Sequence, residues 1–191
     1  MGLPSILARS HACRFATPGV PVTSCWQIDS IAGPLLLVGE PGRLQAIHFL
    51  AAPGATRPLP GWLHDASPFD AAIRQLAEYS EGRRRSFELD LDLHGTPFQL
   101  QVWQALRAIP YARTMSYGEL AAHIGQPTAS RAVGAANHAN PLPIVIPCHR
   151  VIGADGSLTG FGDGLAIKSR LLQFEVAHLD PGEFRLEPAV S

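Results

Sequence analysis

Residues 116–139 read SYGELAAHIGQPTASRAVGAANHA. Ser116 and Glu119 fit a capping box, in which a hydroxyl and a carboxylate each satisfy an orphan amide at a helix start, so a helix is predicted from Tyr117 to about Ile124. Gly125-Gln126-Pro127 ends it, and a second helix is predicted over about 128–139. Two short helices joined by a glycine-containing turn make a helix-turn-helix. The second helix is built from Ala129, Ala132, Gly134, Ala135 and Ala136. These are too small to reach far into a major groove, but they let a backbone lie close to a partner surface. Arg131 is its one long cationic side chain. The competing reading is a tightly packed helix pair in which the small residues face other helices.

Working outward, a Gly153 to Gly156 turn followed by 158–161 predicts a short wing or hairpin, and 165–178 a closing amphipathic helix. Upstream, Thr96-Pro97 opens a helix that carries Phe98, Val102, Ala105 and Leu106 on one face. Phe87, Leu89, Leu91 and Leu93 alternate with Glu88, Asp90 and Asp92, the period of a strand with one wet face. Ser67-Pro68 has the form of an N-cap before a helix over 69–80, stopped by Gly82. Ahead of a Pro/Gly-rich loop at 51–66, the segments 26–29, 35–39 and 43–50 are separated by turns and predict an antiparallel meander. The fold class is α+β with two domains: a small antiparallel sheet with a helix over 25–95, and a helical winged helix-turn-helix domain over 96–178. Residues 1–24 form an extension and 179–191 a tail, and there is no internal repeat.

A chain of 191 residues that is 46% hydrophobic can bury a core, which excludes a disordered tail protein. Cysteines at 13, 25 and 148 make no disulfide framework and suit a reducing compartment. The first residues lack the apolar run of a signal peptide, and no stretch of eighteen apolar residues occurs, so a soluble, cytoplasmic protein with no membrane association is expected. A net charge of −1 argues against non-specific nucleic-acid binding through a strongly basic surface. The charge is uneven, however: residues 96–178 hold six Lys or Arg against four Asp or Glu, while 1–95 hold eight against nine. Only Lys168 among the fifteen cations is a lysine, and arginine suits planar recognition of phosphates or bases. GC-rich coding would enrich arginine equally.

The chemistry centres on Pro147-Cys148-His149-Arg150. A free thiol has a pKa of about 8.5, so a nucleophilic role calls for a depressed value; two units of lowering require roughly 2.7 kcal/mol. Neighbouring side chains diverge, so His149 is expected to take the thiol proton through a bridging water. A third group must then orient the imidazole, by the logic of a Cys-His-carboxylate set. Glu175 is the candidate, because it lies in the apolar run Leu171 to Val176, where an unpaired acid would be costly. The alternatives are a solvated Glu175 and an inert, buried Cys148.

Over Thr96 to Glu175 the motifs resemble the O6-alkylguanine-DNA alkyltransferase family. They are Phe98-Gln99 with Val102-Trp103, Ser116 to Leu120, Ser130-Arg131-Ala132-Val133-Gly134, Asn140-Pro141, and Ile146 to Val151. The resemblance implies a ribonuclease H-like N-terminal domain and a function in direct-reversal DNA repair. Cys148 would take the alkyl group from O6-alkylguanine in double-stranded DNA, with O4-alkylthymine a second candidate substrate. His149 would be the water-mediated base, Glu175 its orienting partner, and Tyr117 the donor to the leaving base. Arg131 would fill the space left by a flipped nucleotide, since a thiol cannot reach O6 of a stacked, paired base. Ala129, Ser130, Ala132 and Gly134 would line the minor groove. Asn140 would brace the turn before the cysteine segment, the Cys148 and Val151 carbonyls would accept from the guanine amino group, and the Gly162 amide would face O6. Phe161, Asn137 and Pro143 would complete the base and alkyl pocket.

Where many relatives have Gly-Tyr this chain has Gly160-Phe161, and Asn137 and Asp163 put polar groups near the alkyl pocket. Positions that hold zinc ligands in some relatives are Glu40 and Gln45 here, and His11, Cys13 and Cys25 have no tetrahedral spacing, so neither metal nor cofactor is expected. An S-alkyl cysteine is a thioether with no carbonyl for water to attack, so each molecule is expected to react once. The expected partner is double-stranded DNA carrying alkylated guanine, bound by a monomer, with cooperative binding of monomers along DNA left open. Two other readings remain: a lesion-binding relative that transfers nothing, and an unrelated cysteine hydrolase.

Overall fold

A computed structural model describes residues 23–179, so most of the expected extension and tail, with His11 and Cys13, lie outside the described residues. Strands β1 (Ser24–Ile28), β2 (Leu35–Glu40) and β3 (Arg43–Phe49) form the expected antiparallel meander. A short fourth strand, β4 (Leu63–His64), pairs in parallel with β1 and gives the order β3-β2-β1-β4. It falls inside the stretch expected to be loop, where two residues are too few to show a period.

Helix α1 (Asp70–Ser80) lays Ala72, Gln75, Leu76 and Tyr79 inward at helical spacing. Ser67 does not cap it. Residues Ser67–Phe69 form a 3-10 turn, and Asp65 caps the Ser67 amide at 3.0 Å. The strand expected over 87–93 does not form either. Its only ladder contact among the described residues is a bridge between Leu91 and Leu44, and the Gln75 side chain holds both backbone groups of Glu88, at 2.7 and 2.8 Å. A side-chain amide thus takes the place of a neighbouring strand, while Phe87, Leu89, Leu91 and Leu93 still pack against the core.

The C-terminal half contains α2 (Pro97–Arg107), β5 (Met115–Ser116), α3 (Tyr117–His123), α4 (Ser130–His138), β6 (Val151–Ile152) and α5 (Leu165–Ala177). Both predicted helix starts at Thr96 and Ser116 are capping boxes, and the Ser116 hydroxyl accepts from the Glu119 amide at 3.1 Å. Helix α4 begins two residues later than expected, after the turn at Ala129. Strands β5 and β6 pair in parallel. The hairpin expected over 158–161 forms no strand, because the Thr159 carbonyl accepts from Lys168 Nζ at 2.6 Å and from the Tyr117 hydroxyl at 3.1 Å.

One apolar cluster runs through both halves, from Leu35, Ile47 and Phe49 to Trp103, Val133 and Leu171. Trp103 also ties α2 to α4 by donating to the Ala136 carbonyl at 2.8 Å. Each fully buried side chain of this kind contributes about 1.5–3 kcal/mol. Among the described residues, no helix is long and apolar enough to cross a membrane.

Candidate active site

The segment that carries Cys148 is held from both sides. The Asn140 amide donates to the Ile146 carbonyl at 2.8 Å, its carbonyl oxygen accepts from the Leu142 amide at 3.0 Å, and the Ile47 amide of β3 donates to Pro141 at 2.8 Å. Within this loop Ile144 has φ 75°, a left-handed conformation that a β-branched residue adopts only under constraint. A 3-10 turn, Cys148–Arg150, follows and buries all three side chains.

Cys148 is 4% exposed. Burial pushes its thiol up to about 12; the Asn140 amide and Lys168 pull it down, and Asp163 adds to the rise. A thiol depressed at rest is therefore not what this fold provides, because desolvation outweighs the nearby donors. His149 is fully buried, with Nε2 2.9 Å from Glu175 Oε1. Burial lowers its pKa against the opposing pull of Glu175, so the ring is held neutral. With Nε2–H donated to the carboxylate, Nδ1 is left as the acceptor, and it is buried without a hydrogen-bond partner among the described residues.

Glu175 is also fully buried, and three segments supply its donors. Its Oε1 accepts from His149, from the Tyr79 hydroxyl at 2.8 Å and from Arg150 Nη2 at 2.8 Å, while Oε2 accepts from Arg150 Nε at 3.0 Å and the Ala112 amide at 2.9 Å. Burial alone would raise this carboxyl, but His149 and then Arg150 outweigh it and hold it at about 2. Glu175 is not a solvated surface acid.

Tyr117 donates to the Thr159 and Gly160 carbonyls at 3.1 and 3.3 Å, and burial, then Cys148, raises its pKa. Gly160 lies at φ +64°, and a Cβ there would collide with the Tyr117 hydroxyl. Asn137 is buried and donates to the Cys148 carbonyl at 3.3 Å, while Lys168 Nζ donates to the Val151 carbonyl at 2.5 Å. Both carbonyls expected to meet a base thus already accept protein hydrogen bonds, Val151 from Lys168 and Cys148 from Asn137 and also from the Val151 amide. Phe161 packs on Phe49 of β3 with ring centroids 6.2 Å apart. Asn140, Pro143, Gly162 and Asp163 meet His48 and His138 around a cleft of about 260 Å³.

On α4, Ser130, Arg131, Ala132 and Ala135 are exposed, Ala129 and Gly134 half-buried, and Val133, Ala136 and Asn137 buried. The small residues are therefore divided: Ala136 packs inward, and Ala132 and Ala135 form an outer face with Arg131. Three residues were missed by sequence reasoning: Arg150, Tyr79 and Lys168. Arg150 also donates to the Ile109 carbonyl at 2.7 Å, and its guanidinium stacks over Tyr111 at 5.6 Å. Lys168 is fully buried, and burial lowers its pKa to about 8. The signal for Lys168 was present, a lone lysine on the same helical stripe as Leu171 and Glu175.

Residues 97–177 match the family described as 6-O-methylguanine DNA methyltransferase, DNA binding domain, and 26–93 match 6-O-methylguanine DNA methyltransferase, ribonuclease-like domain. A methylated-DNA--protein-cysteine methyltransferase of Methanosarcina acetivorans is 46% identical, covering 77% of this chain and 94% of that protein. One of Mycobacterium leprae is 47% identical, covering 79% and 91%. The Mycobacterium tuberculosis OGT structure in complex with DNA is similar with a TM-score of 0.75 and 46% identity, over 81% of this chain and 94% of that one.

Proposed function

The chain belongs to the methylated-DNA-protein-cysteine methyltransferase family, and from that premise we propose that it repairs O6-alkylguanine in double-stranded DNA by a single irreversible transfer to Cys148. The observation that carries this reading is the buried Cys148 beside a neutral His149 that Glu175 holds by Nε2. Such a pair needs only a route for one proton from sulfur to the bare Nδ1. With the thiol at about 12, the thiolate is scarce at rest, so proton removal belongs to the substrate-bound state.

In the transfer, sulfur attacks the alkyl carbon, the carbon–O6 bond breaks, and its electron pair stays with the guanine. Tyr117 donates a proton to the leaving base and recovers one from solvent, His149 keeps the thiol proton, and Cys148 ends as a thioether. The target base is flipped out to reach a buried sulfur, with Arg131 on the exposed face of α4 taking its place in the stack. Val151 and Gly162 contact the base and Phe161 stacks on it; Asn137, Asn140 and Pro143 shape the pocket. Ala129, Ser130, Ala132 and Gly134 keep the approach to the minor groove low.

Incubation with duplex DNA carrying radiolabelled O6-methylguanine, alongside Cys148→Ala, tests this. One label per wild-type molecule, with none on the variant, is the expected result. Unlabelled wild-type protein, or repeated turnover, would refute it.

A further inference from the structure

Glu175 Oε1 is shared among three donor residues, two of them neighbours on the turn that carries the cysteine and one from the N-terminal sheet-and-helix unit. Tyr79 sits in the last turn of α1, 1% exposed, and its hydroxyl reaches Oε1 at 2.8 Å. Its ring is packed against Phe87, Tyr111 and Phe174, so the hydroxyl has little freedom to turn away. The same oxygen receives His149 Nε2 at 2.9 Å. A carboxylate oxygen with several donors has its charge divided among them, and each donor weakens what the others feel. The basicity of Glu175 towards the imidazole is thus set partly by a residue that touches neither sulfur nor DNA.

We infer that Tyr79 is a positioning residue for the alkyl transfer: its hydrogen bond to Glu175 Oε1 limits how strongly the carboxylate favours the protonated imidazole, and so keeps His149 able to take the thiol proton. The inference rests on the reading of His149 as the base. The charged and titratable groups around the pair are Arg150 on the same turn, Tyr111 after α2, and Lys168 on α5, which disfavours a protonated His149 as Arg150 does. Arg150 is committed to Glu175 and the Ile109 carbonyl. Tyr79 is the donor on Oε1 that can be removed without touching the turn that carries the cysteine.

Tyr79→Phe retains the ring and removes the bond. Without it the carboxylate becomes a stronger acceptor for His149, the imidazolium is favoured, and the neutral base is depleted at higher pH than before. The experiment is the single-turnover rate of transfer from O6-methylguanine DNA, measured with the full chain across the acid limb of its pH profile. In Tyr79→Phe that limb should move up by about one pH unit, with a plateau rate within about threefold of wild type. A limb in the wild-type position overturns the inference, whether the rate is unchanged or uniformly reduced. Site-specific 3-fluorotyrosine at position 79 is nearly isosteric, keeps the fold if Tyr79→Phe does not, and donates more strongly, so its limb should move down. An unmoved limb in that protein also overturns the inference. Absence of any transfer by the wild-type protein would instead defeat the functional reading on which the inference rests.

Discussion

Arg150 shows how closely the site is balanced at the scale of one residue. Its guanidinium bonds both oxygens of Glu175, and the two side chains are 6% and 0% exposed. Removing one member of a buried pair leaves the other charged and desolvated. Arg150→Ala is expected to lower stability by about 3–5 kcal/mol, read from urea unfolding. Loss within experimental error would show that the pair is not buried as described. His149 and Glu175 were legible in the sequence, because an acid in an apolar run demands a partner. Arg150 stood in the same motif, yet a terminal arginine in a loop looks like a surface cation, and Tyr79 looks like one more aromatic on a helix face. Only the folded chain brings the two to one carboxylate. The burial of the thiol was left open for a related reason: the sequence shows the neighbours of Cys148 in order, not how little water reaches it.

Among the elements, the helix-turn-helix was the most readable, since capping boxes are local and obey fixed spacing. The segment 87–93 was misread despite a correct alternation, because a strand needs a neighbour and Gln75 occupied that place. Helix α4 carries the prediction at this scale. Its outer face presents Arg131 flanked by alanines, a shape that can lie against a groove and insert one long side chain. Arg131→Ala should reduce repair of duplex DNA at least tenfold while leaving reaction with the free modified base nearly unchanged, because extrusion is needed only for the duplex. Equal losses on both substrates, compared in parallel single-turnover assays, would remove Arg131 from that role.

At the level of the whole molecule, the two halves are joined by a shared apolar cluster and by the bonds on Glu175. Their buried titratable groups set the response to acid. His149 and His48 are held below the ordinary histidine value by burial, and Glu175 sits at about 2 through His149 and Arg150. Each of these groups takes up its proton more readily in the unfolded chain, so acidification favours unfolding. Below about pH 7.5 stability should decline as the pH falls through about 6.5, and decline further from about 4.3 towards 2 as Glu175 is neutralised. Thermal midpoints along that range check it, and a flat profile would contradict the assignment. The meander and the order of helices could be read in advance; the union of the halves could not, since no local period encodes which buried groups will meet.

The donors to Glu175 come from residues 79, 112, 149 and 150, so this hydrogen-bonded cluster is complete only when stretches up to 96 positions apart have come together. A ribosome that has not yet released α5 holds a chain whose His149 has no carboxylate to orient it. A chain cut short before α5 would therefore keep its cysteine and imidazole but lose the carboxylate on which donors from both halves of the fold converge.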